Sequence, residues 1–229
     1  MIQIAIDGPS GAGKSTLAKA VAKALGMVYV DTGALYRTIG YHVCRSQVDP
    51  ADEKAVEALL PTLRLQVRYE DGRQIVLLNG ENPGEAIRTQ EIAKYASAVS
   101  AIPAVRQFLL ETQRTIAREN PVVMDGRDIG TVILPDATLK IFLSATPECR
   151  ARRRYREYLE KGMDVSYEQI LKETVARDHA DETREIAPLA PATDAILLDN
   201  TDSSVEESVE FIRKQIGIKT GKPYPEKEV

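Results

Sequence analysis

The chain has 229 residues, enough for one α/β domain with a small inserted module, and its 43% hydrophobic content can bury a sizeable core. A formal net charge of −4 says nothing in favour of nucleic acid or membrane as a bulk partner, so any anion must be met by locally clustered Lys and Arg. The opening MIQIAID does not read as a secretory or transit leader, and no window reaches the roughly 20 apolar residues of a membrane span, so a cytoplasmic protein is expected.

Residues 2–6 are a mostly apolar, β-branched run that reads as a buried strand ending at Asp7. Next come Gly8, Pro9, Ser10, Gly11, Ala12, Gly13, Lys14 and Ser15, which match G-x-x-x-x-G-K-[ST] at every fixed position. In such a loop the glycines let backbone N–H groups point inward at phosphate oxygens, and the following helix N-terminus adds positive potential. Lys14 is expected to reach the β- and γ-phosphates of ATP and the Ser15 hydroxyl to hold Mg²⁺. From Lys14 to Leu25 the residues Leu17, Val21, Ala24 and Leu25 share a helical face, and Gly26 stands where a helix C-cap belongs. Residues 27–30 form a second strand. Strand, glycine loop, helix and strand open a parallel α/β sheet.

Asp31-Thr32-Gly33-Ala34-Leu35-Tyr36-Arg37 follows that strand, on the carboxyl edge where ligands of open α/β sheets bind. Residues 63–83 break the rhythm: Leu63, Leu65, Val67 and Tyr69 alternate, Asp71-Gly72 offers a turn, residues 75–78 form a second strand, and Asn79-Gly80 signals another turn. This reads as a small antiparallel β insertion. Val105, Leu109, Thr112 and Ile116 line one helix face before a third sheet strand at 122–124. Asp125-Gly126-Arg127-Asp128 ends that strand on the ligand edge, so two strand ends each bring an Arg near the phosphate loop. The planar guanidinium fork can take two phosphate oxygens at once.

A fourth strand at 139–143 precedes five arginines within the seven residues 150–156. On a helix Arg150, Arg153 and Arg154 share one face, and Arg152 and Arg156 another. In an acidic chain, and with no aromatic stacking pattern accompanying the cluster, a lid that closes over ATP suits them better than a nucleic-acid patch. Ser166 and Gln169 form a capping-box pattern. Arg177, Asp181 and Arg184 recur at i, i+4 and i+7, so one continuous helix would carry them as a surface ion-pair ladder or as acceptor contacts; spacing leaves both open. Residues 195–198 are a last strand, 204–216 a last helix, and 217–229 a polar tail. Cys44 and Cys149 lie far apart in sequence and neither His42 nor His179 has ligand spacing around it, which reads as reduced thiols and structural or solvent-facing imidazoles and not as a zinc site. None of the four asparagines precedes a Lys, so the N-K-x-D signature of a GTPase is absent and a small-molecule kinase is favoured.

DGPSGAGKST from Asp7, DTGALYR from Asp31, IRTQEIA from Ile87 and DGRDIGT from Asp125 together resemble the bacterial cytidylate kinases, over residues 2–216. The resemblance implies a P-loop nucleoside-monophosphate-kinase fold: a five-stranded parallel sheet with flanking helices, a short lid and a small antiparallel β insertion. It implies a kinase core over 1–216, with 33–105 binding the monophosphate and 150–184 forming the lid region. ATP would lie on residues 8–15, Thr16 and the lid arginines Arg150, Arg153 and Arg154. CMP or dCMP would meet Thr32 and Tyr36, with its phosphate on Arg37, Arg127 and Arg184 and its ribose on Arg177 and Asp181. Ser97, Arg106 and Asp128 would read cytosine. Lys14, Arg127, Arg184, Arg150 and Arg154 would carry catalysis, with Mg²⁺ on Ser15 and, through water, on Asp125. Neither nucleic acid nor membrane is an expected partner, and a monomer is expected. The rival readings are a kinase of the same fold for another acceptor, such as UMP, AMP or a hydroxylated metabolite, and a non-catalytic nucleotide- or RNA-binding module.

Overall fold

A computed structural model describes residues 1–70 and 72–221. The chain divides into two compact units, one made of Met1–Val28 with Pro121–Val229 and the other of Tyr29–Asn120.

The first unit is built on β1 (Gln3–Asp7), which pairs in parallel with β5 (Val122–Gly126) on one side and β6 (Leu139–Ser144) on the other. With β2 (Val28–Asp31), where the chain leaves this unit, and β7 (Ile196–Asp199), they make a five-stranded parallel sheet in the order β2-β5-β1-β6-β7. Strands covered on both faces lose the usual alternation, and β5 is buried at all five positions. Helix α1 (Lys14–Leu25) packs on β5 and on α8 (Val205–Thr220), burying Leu17, Val21 and Leu25 from one and Ile212 and Ile216 from the other. Each such side chain contributes roughly 1.5–3 kcal/mol. Helices α6 (Pro147–Glu160) and α7 (Tyr167–Thr183) pack together.

In the second unit, α2 (Thr32–Arg45), α3 (Glu53–Leu59), α4 (Gln90–Val99) and α5 (Pro103–Glu119) enclose a core of Leu35, Ile39, Val43, Val56, Val99, Val105 and Leu109. The hairpin β3 (Leu65–Glu70) and β4 (Arg73–Leu78) is antiparallel and adds Val76 and Leu78 to that core. Asn79 and Gly80 both have positive φ, 52° and 88°, as the turn after β4 requires. Of the expected Asp71-Gly72 turn, Asp71 lies outside the described residues.

Three expectations change. The last helix extends past 216 to Thr220 and stops at left-handed Gly221, so the tail begins later than the sequence pattern suggested, and 222–229 lie outside the described residues. At the start of α7 only half a capping box forms: Ser166 Oγ accepts from the Gln169 N–H, while the Gln169 side chain turns to Glu173. The reciprocal form occurs at Ser204 and Glu207 instead, because a carboxylate accepts the N-cap N–H better than an amide does. Third, α7 ends at Thr183, which takes Arg184 off the helix with an extended backbone. Among the described residues no helix is long and apolar enough to cross a membrane.

Candidate active site

The glycine-rich turn leaves β1 so tightly that a Cβ on Gly8 would lie 2.0 Å from the Leu143 carbonyl oxygen. Gly13, at φ 95°, caps α1 from the left-handed region, where a side chain would be strained. Lys14 is buried and its Nζ reaches back to donate to the Pro9 carbonyl at 2.7 Å. Burial, and then the neighbouring Arg127 charge, push its ammonium well below the ordinary lysine range. Ser15 Oγ donates to Asp125 Oδ2 at 2.9 Å. A hydroxyl and a buried carboxylate at the loop form an all-oxygen donor set of the kind Mg²⁺ uses alongside phosphate and water.

Three arginines of α6 reach the same loop. Arg150 donates to the Ser10 carbonyl at 3.1 Å, Arg153 to the Ala12 carbonyl at 3.3 Å, and Arg154 to the Ser10 hydroxyl. They come from one helix face; Arg152 and Arg156, on the other, are exposed. Arg150 is fully engaged, since it also donates to the Ala145 carbonyl at 2.9 Å and to both oxygens of Asp178. Arg154 lies below its ordinary pKa, mainly through burial.

On the adjacent strand end Arg127 Nε donates to Asp181 Oδ2 at 2.8 Å, and Arg184 forms an ion pair with Asp128 at 3.8 Å. Asp128 and Asp181 are both buried. Burial alone would raise the Asp181 carboxyl, but Arg127, Arg177 and Arg184 outweigh it and hold the group below its usual value. A solvated surface ladder at 177, 181 and 184 is therefore not what forms: Asp181 turns inward, and Arg184, released from the helix, reaches Asp128.

In the second unit Arg37 pairs with Asp31 at 2.9 Å, and Asp31 also caps α2 by accepting from the Ala34 N–H at 2.8 Å. Arg106 is buried, donates to the Ser100 carbonyl at 3.1 Å, and sets its guanidinium 5.8 Å from the Tyr36 ring centroid. Thr32 is buried at the start of α2, and Ser97, half-buried on α4, accepts the Ser100 hydroxyl at its carbonyl.

Two further residues belong to the first unit's cluster and were given no role in the motif reading. Asn200, just past β7, donates to the Ala12 carbonyl at 2.8 Å and accepts from Arg153 at its own carbonyl. Its position at a strand end on the ligand edge was the available signal. Asp7 accepts the Ile129 and Gly130 N–H groups, each at 2.7 Å, and so fixes the backbone immediately after Asp128. Burial, aided by the Asp128 charge, pushes its carboxyl up to about 6.

A glycine-rich loop between β1 and α1, with its Lys and Ser, on a five-stranded parallel sheet defines a P-loop nucleotide-binding protein of the kinase type. The sequence model of the cytidylate kinase family matches residues 4–217. The chain is 50% identical over 211 residues to a cytidylate kinase of Caldicellulosiruptor bescii, covering 92% of this chain and 93% of that protein. It is 47% identical over 218 residues to the cytidylate kinase of Carboxydothermus hydrogenoformans, covering 95% and 98%. It is 46% identical over 222 residues to that of Pasteurella multocida, again covering 95% and 98%. The chain belongs to the cytidylate kinase family.

Proposed function

We propose that this enzyme moves the γ-phosphate of ATP directly onto the phosphate of CMP or dCMP, giving ADP and CDP or dCDP. The observation that carries the reading is the sheet register: Ile6 pairs with Asp125 and Asp7 with Gly126, so the phosphate loop and the Asp125–Asp128 turn leave neighbouring strands at one edge. Family membership narrows the acceptor to cytidylate.

In this mechanism an oxygen of the acceptor phosphate attacks the γ-phosphorus, and the bond to the β,γ-bridging oxygen breaks. The attacking oxygen needs no general base, because a phosphate monoester has a second pKa of about 6 and is largely ionised at neutral pH. Catalysis is positioning and charge neutralisation. Lys14, Arg150 and Arg154 meet the transferred charge, while Arg153 and residues 8–16 hold the donor. Ser15, with Asp125 through water, would hold Mg²⁺, which supplies neutralisation of the β- and γ-phosphates. Arg37, Arg127 and Arg184 hold the acceptor phosphate, with Thr32 and Tyr36 beside them, and Arg177 and Asp181 hold the ribose.

Ser97, Arg106 and Asp128 read the base. The Asp128 carboxylate accepts the 4-amino group of cytosine; uracil would set a carbonyl oxygen against it with no proton between. Sites built on one hydrogen bond reject the analogue lacking it by on the order of 10⁴. ATP and nucleoside monophosphates belong to the cytoplasm, where this reading puts the enzyme, acting as a monomer. The test is a coupled assay of ADP release with CMP, dCMP, UMP, AMP and GMP as acceptors. Turnover confined to the cytosine nucleotides is the expected result, and equal turnover on UMP would discard the account of base reading.

A further inference from the structure

We infer that Gln74, on the inserted hairpin, is a positioning residue for Arg37 and acts through Asp31. The inference rests on the reading of Arg37 as an acceptor-phosphate ligand. The alternation of β4 puts Gln74 on the same face as buried Val76 and Leu78, so the strand that anchors the hairpin also delivers this amide inward. Gln74 Oε1 accepts the Asp31 N–H at 2.9 Å, and Gln74 Nε2 donates to the Asp31 carbonyl at 3.1 Å. One side-chain amide therefore satisfies both main-chain polar groups of one residue, as a neighbouring strand would.

The Asp31 side chain is equally committed. Oδ1 caps α2 through the Ala34 N–H, and Oδ2 takes Arg37 Nη2 at 2.9 Å. A Cβ on Gly33 would stand 3.0 Å from Arg37 Nη1 and 3.1 Å from Asp31 Oδ1, so the glycine lets the pair sit this close to the helix start. With backbone and carboxylate both held, Asp31 has a single direction in which to present its charge, and the guanidinium follows it. Arg37 Nε is buried and without a hydrogen-bond partner among the described residues, which suits it to a ligand. The hairpin thus does more than cover a core: it sets the orientation of an arginine 37 positions earlier in the chain (Gln74 minus Arg37).

Gln74→Met keeps the length of the side chain and removes both hydrogen bonds. Its expected effect is a KM for CMP raised about five- to tenfold, the loss of two ordinary hydrogen bonds relayed to one ligand. The KM for ATP and kcat should move less than about twofold, since binding lost equally in ground and transition states appears in KM alone. Gln74→Glu, which keeps the acceptor and loses the donor, should fall between, and it carries the test if Gln74→Met melts well below the wild type. In an Arg37→Ala background Gln74→Met should add less than about twofold, because residues acting through one another are non-additive. An unchanged KM for CMP in both Gln74 variants, or effects that multiply with Arg37→Ala, would overturn the inference while leaving Arg37 as a ligand. No effect of Arg37→Ala itself on the KM for CMP would instead remove the reading of the acceptor site, and the inference with it.

Discussion

Arg150 and Asp178 form a two-pronged ion pair between α6 and α7, with N–O distances of 2.8 and 2.5 Å. Arg150 is 3% exposed, so its charge has almost no water to fall back on. Breaking one side of such a pair leaves a buried, uncompensated charge. Asp178→Ala is therefore expected to cost about 3–5 kcal/mol in urea unfolding. Replacing both partners, as in Arg150→Met with Asp178→Leu, should recover most of that stability while ATP binding stays impaired. A double variant as unstable as the single one would show that the pair's value is not electrostatic.

Lys14 presents the opposite balance. Burial and Arg127 disfavour its charged form, so the folded protein gains nothing from that charge. Lys14→Met is expected to leave the melting temperature equal or higher while turnover falls by about 10²–10³, the scale of loss when one preorganised donor to a transition state is removed. Parallel calorimetry and ADP-release assays would check it.

Asp128 is buried and lies against Arg184 at 3.8 Å. Asp128→Asn keeps its volume but offers both a donor and an acceptor to the base edge. Discrimination of CMP over UMP, taken as the ratio of kcat/KM values, should fall at least about 10²-fold. An unchanged ratio in an active variant would move base reading to other residues.

Asp7 gives a pH signature. Its folded pKa of about 6 lies above the ordinary 3.8, through burial first and the neighbouring Asp128 charge as well, with Lys14 and the two backbone N–H groups opposing. The folded protein therefore holds this proton more tightly than the unfolded chain. The associated stability is fully present below about pH 4 and is lost as pH rises to about 6, amounting to on the order of 3 kcal/mol. Wild type should lose stability relative to Asp7→Asn across that window in denaturant titrations. A constant difference between the two would mean that Asp7 titrates as an ordinary carboxyl.

What could be read ahead of the structure was what local pattern encodes. The phosphate loop followed from fixed glycines between a strand and a helix, the hairpin from alternation at 65, 67 and 69, and the shared face of Arg150, Arg153 and Arg154 from helical spacing. Pairings set by sheet order had no such trace. Asp7 meets residues 129 and 130 because β1 lies beside β5, and no periodicity spans 122 positions. Spacing also misled at Arg184, where i+7 suggested one helix; the chain leaves helical geometry there and turns the side chain to Asp128. Gln74 looked like one polar residue in a half-buried strand, since its partner is the backbone of Asp31 and backbone partners leave no mark in composition.

The central strand is synthesised before either of the strands that flank it. β1 ends at residue 7, and its partner β5 begins at residue 122, with all of the second unit encoded between them. At about 5–20 residues per second a ribosome takes roughly 6–23 s to span that gap. Throughout that interval an apolar segment waits with both of its edges open, while the contiguous second unit has everything it needs to collapse. Vectorial synthesis thus imposes an order of assembly, second unit before sheet, and makes β1 the stretch that most needs shielding from its neighbours on a polysome.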